Sequence, residues 1–175
     1  GTGSAINFFS FFTIQCNLLV AISLTISTLA PDSVPGRFFS SLSAQSAIAL
    51  YIFIVGLVYN LVLRGMFELT GWHWIVDNML HVVIPVLYIF YWLYHRSAGT
   101  LHWRDSVYWI IFPFLYLSYS LYRGSIVQWY PYPFLNVMNL GYPTVFTNIA
   151  MIIVVFLVAG AGLIYITRSS ESNKH

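Results

Sequence analysis

Apolar residues run through this chain in five long stretches, each closed by polar or turn-forming residues. A membrane-spanning helix needs about 20 mostly apolar residues. Five segments meet that length: 8–29, 44–63, 75–94, 106–122 and 143–166. The first stops at the breaker cluster APDSVPG; the second runs from SAQSAIAL to NLVL. The third, IVDNMLHVVIPVLYIFYWLY, and the fourth, SVYWIIFPFLYLSYSLY, hold Pro85 and Pro113. Spanning helices tolerate proline because neighbours satisfy the freed backbone groups. The pattern predicts an all-α, polytopic transmembrane bundle in one domain, 1–175, with a polar tail at 167–175.

The polar interruptions are not scattered. FFTIQCNLL, residues 11–19, breaks the first stretch with Thr13, Gln15, Cys16 and Asn17. At 1.5 Å per residue, Thr13 falls ~8 Å inside the first helix and His81 ~9 Å inside the third, both from the same end. Arg64 and Arg123 close the second and fourth stretches at that end. Thr147 and Asn148 open the fifth, and the loop QWYPYPFLN (128–136) covers the same face. All five helices thus send polar residues into one layer.

Composition agrees with a membrane protein: 59% hydrophobic, 7% charged, mean hydropathy +0.77, where soluble domains carry about 25% charge. A net charge of +2 gives no footprint for nucleic acid. GTGS leads into the first stretch without a basic region and a small-residue cleavage site, which is not a signal-peptide pattern. Cations set the orientation. Arg37, Arg96, Arg104, Arg168 and Lys174 fall on one side, Arg64 and Arg123 on the other. Loops 30–43 and 95–105 and the C-terminus are therefore expected in the cytoplasm. The polar layer then lies near the outer leaflet, and the N-terminus is outside.

Two segments repeat. IPVLYIFYWLYHR (84–96) and FPFLYLSYSLYRG (112–124) share P-x-L-Y-x-x-Y-x-L-Y, with tyrosines at i, i+3 and i+6 that stay near one helix face. Shared aromatic composition explains this without a duplicated fold. A-G-A-G at 159–162 offers small residues for close helix packing.

The polar layer holds the parts for acyl transfer. Asp77 and His81 are four apart and share a helix face, so the carboxylate can fix one imidazole tautomer and stabilise its cation. Asn78 stands three before His81 and can assist. Thr13 and Asn17 are also four apart. The set supplies a hydroxyl nucleophile, an imidazole base, a carboxylate orienter, and amides and arginines for an oxyanion or a carboxylate. Each has a plainer role. A lone Thr bonds its own i−4 carbonyl, Arg64 and Arg123 snorkel to the interface, and Asp77 serves a helix dipole. His73, His95 and His102 stand in or beside loops, where solvation is expected. A histidine at membrane depth is costly and marks function by default. The single cysteine, Cys16, reads as a small buried hydrophobe and permits no disulfide. A haem would need a second His from another spanning helix, and the other four stretches contain none. HExxH is absent, and Asp77 with His81 make no zinc site. No metal and no cofactor are expected.

At these residues the chain resembles the androgen-induced and androgen-dependent TFPI-regulating membrane proteins and their bacterial relatives. FFTIQCNL is similar to the family's threonine helix, NMLHVVIPVLY to its Met-His-x-x-x-Leu/Ile-Pro helix, and QWYPYPFLN to its W-x-Y-P-F-L loop. Together the three, in family order, cover most of the chain. The resemblance implies a threonine hydrolase of fatty acid esters of hydroxy fatty acids in a bacterial plasma membrane. Thr13 would be the nucleophile and His81 the base, with Asp77 orienting it. Asn17, Asn78, Arg64, Arg123, Tyr130 and Tyr132 would bind substrate or the oxyanion. The implied partners are a lipid or fatty-acid ester and membrane lipids. The family has a helix ahead of the threonine helix, so six spans are implied, the first lying outside this sequence. The other reading is a non-catalytic lipid-binding, transport or accessory protein, for which Thr13→Ala would leave function intact.

Overall fold

The computed structural model describes residues 2–66, 68–96 and 99–172, and every regular element among them is helical. In chain order these are α1 (Thr2–Phe9), α2 (Phe12–Leu29), α3 (Val34–Ser40) and α4 (Leu42–Val58), which continues as a π turn, Tyr59–Leu63. Then come α5 (Gly71–Asn78), a second π turn (Met79–Val83), α6 (Ile84–His95), α7 (Trp103–Val127), a 3-10 turn (Pro133–Leu135) and α8 (Val137–Ser172). Among the described residues, five helices are long and apolar enough to cross a membrane: Phe12–Leu29, Leu42–Leu63, Gly71–His95, Asp105–Val127 and Val137–Ser169. The chain is an integral membrane protein with an all-α bundle.

The centre of the bundle is α4. Over its most apolar stretch 56% of the residues are buried, against 11–28% in the other four spans. Small residues explain this: Ala44, Ser46, Ala47 and Ala49 let neighbouring helices approach closely. Ser46 accepts the Trp92 Nε1–H at 2.9 Å, and the Tyr51 hydroxyl donates to the Trp109 carbonyl at 2.8 Å. Gly160 of the A-G-A-G run also faces inward, since a Cβ there would stand 3.4 Å from Leu50. At one end of the bundle Ser43 donates to Asp105 and Arg168 donates to the Leu101 carbonyl. The start of α4, the 99–105 segment and the end of α8 therefore meet.

Several boundaries differ from the hydrophobic pattern. The first span is not one helix over 8–29. Ser10 ends α1 by donating to the Ile6 carbonyl at 2.7 Å, and Phe11 is extended, with its ring against Trp129 and Tyr132. Thr13 is consequently the second residue of α2, not the sixth of a longer helix. The 30–43 loop contains α3, capped by Ser33. The third span starts at Gly71, four residues before 75. The fourth runs Trp103–Val127: the Asp105 carboxylate accepts the His102 N–H at its start, and Gln128 takes a left-handed conformation (φ 56°) at its end. The fifth begins at Val137, kinks at Gly141 (φ 73°) and continues through the expected tail to Ser172, with Thr167 buried. Lys174 of the cation count lies outside the described residues. The repeated tyrosines do not share a face. Each three-residue step turns 300°, so two steps drift 120°. Tyr88 and Tyr116 are buried, whereas Tyr94 and Tyr122 are exposed.

Candidate active site

The break at Ser10–Phe11 and the two π turns bring separate helices to one point. Thr13, at 6% exposure, is held at the start of α2. His81 lies in the middle of the second π turn. Pro85 accounts for part of that geometry. It has no N–H to give to the carbonyl four residues earlier, and that carbonyl belongs to His81. The Asn60 amide approaches it instead, at 3.4 Å. Gly56 lets α4 come this close, since a Cβ there would meet both the His81 carbonyl and Pro85 at 3.2 Å. On the other side Asn17 donates to the Leu80 carbonyl at 3.2 Å and to the Thr13 carbonyl at 2.8 Å. The peptide carrying His81 is thus gripped between α2 and α4.

The hydrogen bonds form one chain. His81 Nδ1 is 2.9 Å from the Asp77 carbonyl and 3.1 Å from the Asp77 carboxylate. Both are acceptors, so Nδ1 carries the proton and Nε2 is free to accept. Thr13 Oγ1 lies 3.2 Å from that Nε2. The Tyr132 hydroxyl accepts the Thr13 N–H at 3.1 Å and contacts Thr13 Oγ1 at the same distance. Its single proton points to Thr13 Oγ1, and the threonine proton points to His81. The Tyr59 hydroxyl closes the far end by donating to the other Asp77 oxygen, while its ring stacks on the imidazole at 4.0 Å. Tyr132 sits in the loop between α7 and α8, where burial, partly opposed by its bonds to Thr13, pushes its pKa up to about 12. It stays protonated across the physiological range and remains a donor.

Two cavities meet at this point. A vestibule of about 860 Å³ is lined by Thr13, Asp77 and His81 together with Trp72, Trp129 and Tyr130. A slot of about 80 Å³ lies on the other side, lined mostly by apolar side chains from α2, α4 and its π turn, α7, the 132–135 loop and α8. Thr13, Tyr59, Leu63 and Tyr132 line both, so they form the wall between them.

The other expected residues stand around this centre in different roles. Asn17 spends its amide on two backbone carbonyls, and its buried Oδ1 has no partner. Asn78 donates to the Trp74 carbonyl and accepts from Arg64, so it does not brace His81. Arg64 also donates to Asn60, and Arg123 donates to Asn7 while its guanidinium lies over Trp129. Neither arginine lines the vestibule. Tyr130 packs its ring on Gly124 at the vestibule wall. His73 is exposed, as expected, and stands at the vestibule from α5. Thr147 bonds its own turn, and Asn148 pins the 128–136 loop through the Phe134 carbonyl. Cys16 is buried, as a small hydrophobe would be. No group of three metal-ligating side chains occurs among the described residues.

Tyr59 and Asn60 are the residues that sequence reading missed. Their signal was a polar pair at the end of the second apolar stretch, one turn before Arg64 and level with His81.

Fold and site together define an integral membrane protein with a threonine, a histidine and an aspartate joined in series at a cavity wall. Comparison of the chain with known protein families, curated proteins and solved structures finds no match.

Proposed function

We propose that the protein is a membrane-embedded ester hydrolase with Thr13 as nucleophile and His81 as general base. The observation that carries this reading is the 3.2 Å contact between Thr13 Oγ1 and an imidazole nitrogen that the Asp77 side holds as an acceptor. Nucleophile, base and orienter within hydrogen-bond reach are the signature of an activated hydroxyl. Thr13 Oγ1 attacks the ester carbonyl, and its proton passes to His81. The imidazolium formed is stabilised by Asp77, itself held by Tyr59. The oxyanion develops beside the first turn of α2, at the positive end of the helix dipole. Tyr132 is the nearest side-chain donor. This assigns oxyanion stabilisation to the helix start and Tyr132, and gives Asn17 a bracing role. Arg64 and Arg123 tie down the rim.

The substrate class is a lipid ester, of the fatty acid ester of hydroxy fatty acid type that the resemblance supplies. The support is an aromatic vestibule large enough for a lipid chain. A bacterial plasma membrane, with loops 30–43 and 95–105 inside, fits the arginine distribution and the meeting of Leu101, Asp105 and Arg168 at one end.

A fluorophosphonate probe on the detergent-purified protein tests the reading. Wild type is expected to label, and Thr13→Ala and His81→Ala to lose labelling while eluting as folded protein. Equal labelling of all three, or no labelling where a control hydrolase reacts, would sink it. A lipid-binding or transport role for the vestibule would then be favoured.

A further inference from the structure

A third cavity, of about 420 Å³, lies toward the other end of the bundle from Thr13. It is a groove with α7 on one side and α2, α3 and the first turns of α4 on the other. Small side chains on α4 leave the room: Ala44 and Ala47 stand on its wall with Ile48 and Tyr51 below them, and all four are buried. Tyr51 and Phe112 close the floor, their ring centroids 5.2 Å apart. Phe38 and Tyr108 line the groove and are well exposed, so its open side lies between them and faces the bilayer.

The groove is one leaflet deep. Ser41 stands at its top, just before the span that begins at Leu42. From there to Tyr51 is ~15 Å of helix, half of the roughly 30 Å hydrocarbon core of a bilayer. The serines on its wall are already engaged. Ser41 caps α4 and donates to the Phe38 carbonyl, and Ser43 donates to Asp105 while accepting the Trp109 Nε1–H. Such a cavity gives water few partners and suits an apolar occupant. Charge stands only at the top. Arg104, Tyr108 and Phe112 follow at four-residue steps along one face of α7, which puts Arg104 one turn above the two rings. It is exposed and has no partner among the described residues. Arg37 precedes Phe38 in the last turn of α3 and gives one N–H to the Asp32 carbonyl. The other arginines at this end are committed: Arg96 lies over Trp92, and Arg168 lies over Trp103 and donates to Leu101. The Asp105 carboxylate beside the groove is taken up by Ser43 and the His102 N–H.

We infer that this groove binds one anionic phospholipid of that leaflet, at a site separate from Thr13. One acyl chain lies along Ala44, Ala47 and Ile48 and ends against Tyr51 and Phe112. The rest of the lipid stays in the bilayer through the open side. The phosphate lies between Arg37 and Arg104, whose planar forks give it charge-assisted hydrogen bonds. Two matches identify the occupant: the apolar groove has the depth of one leaflet, and the uncommitted guanidinium donors stand at the level of the headgroups. Neither match involves the residues around Thr13, so the site stands whether or not the protein is a hydrolase.

The test is native mass spectrometry of the full chain in detergent, titrated with dioleoyl phosphatidylglycerol and, separately, dioleoyl phosphatidylcholine. The two lipids carry the same chains and phosphate, and only the first is a net anion. Wild type is expected to take up one phosphatidylglycerol roughly tenfold or more tighter than the first phosphatidylcholine, with later copies weak and alike. The double variant Arg37→Gln/Arg104→Gln changes two exposed side chains and is expected to bring phosphatidylglycerol down to the phosphatidylcholine level. Ala47→Phe fills the groove and is expected to remove the tight first step for either headgroup. Should that buried change prevent folding, Tyr108→Ala, at the exposed mouth, is expected to weaken the first step for both lipids. Equal uptake of the two lipids by wild type, or a tight first step that survives in the folded arginine double variant, overturns the site.

Discussion

The two helices that share P-x-L-Y-x-x-Y-x-L-Y have the same proline and different fates. In each, the proline frees the carbonyl four residues before it, and in each a side chain from the central helix answers. For Pro113 that carbonyl belongs to Trp109, which takes the Tyr51 hydroxyl at 2.8 Å deep in the core. Trp109 is 2% exposed, and α7 passes through unbroken. For Pro85 the carbonyl belongs to His81, Asn60 approaches it at 3.4 Å, and the helix widens into a π turn. The same local rule gives a packed anchor in one helix and an aimed imidazole in the other. The neighbours make the difference: Gly56, Asn17 and Asn60 surround the Pro85 site, and the rings of Tyr51, Trp109 and Phe112 crowd the Pro113 site. Such π turns are frequent at functional sites.

The comparison breaks most sharply at the residues four before each proline. His81→Ala is expected to lower ester turnover by roughly a thousandfold or more, whereas Trp109→Phe leaves turnover per folded molecule close to wild type. Steady-state rates normalised to folded protein decide this, and equal losses would mean that the second helix also takes part in the chemistry. The side chains that answer the carbonyls come next. Asn60→Ala is expected to cut turnover about tenfold through misplacement of the imidazole, with little change in melting temperature. Tyr51→Phe is expected to do the reverse. It leaves a buried carbonyl without its partner, at a cost of about 1–3 kcal/mol, and turnover by the folded fraction is retained. A thermal-shift series beside the rates separates the two, and a large melting change in Asn60→Ala would make its role structural. The smallest effect is expected at the far tyrosines. Tyr94→Ala and Tyr122→Ala replace exposed rings and should each stay within about 0.5 kcal/mol of wild type in unfolding measurements.

The spans were legible because each is long, apolar and bounded by charge or turn residues. Thr13, Asp77 and His81 were legible for a related reason. Polar groups are costly at membrane depth, and their spacing put them on facing layers. The rest depended on contacts between distant residues. The break after Ser10 comes from Phe11 packing on Trp129 and Tyr132, more than 100 positions away. The π turns need Pro85 together with Gly56 and the two amides. Asn17 looked like an oxyanion donor because its amide was counted without the Leu80 carbonyl that takes it. Tyr59 was passed over because an interfacial tyrosine is ordinary, and only the fold brings it to Asp77.

The central claim is that Thr13 is an activated nucleophile, and locating the adduct tests it most directly. Purified protein is reacted with a fluorophosphonate, digested, and read by peptide mass spectrometry. The expected result is one phosphonate on the peptide containing FFTIQCNLL, with fragment ions placing it on Thr13, and its absence in His81→Ala. A phosphonate on another hydroxyl such as Ser10 or Tyr132, or one on Thr13 that persists at full level without His81, would contradict the account.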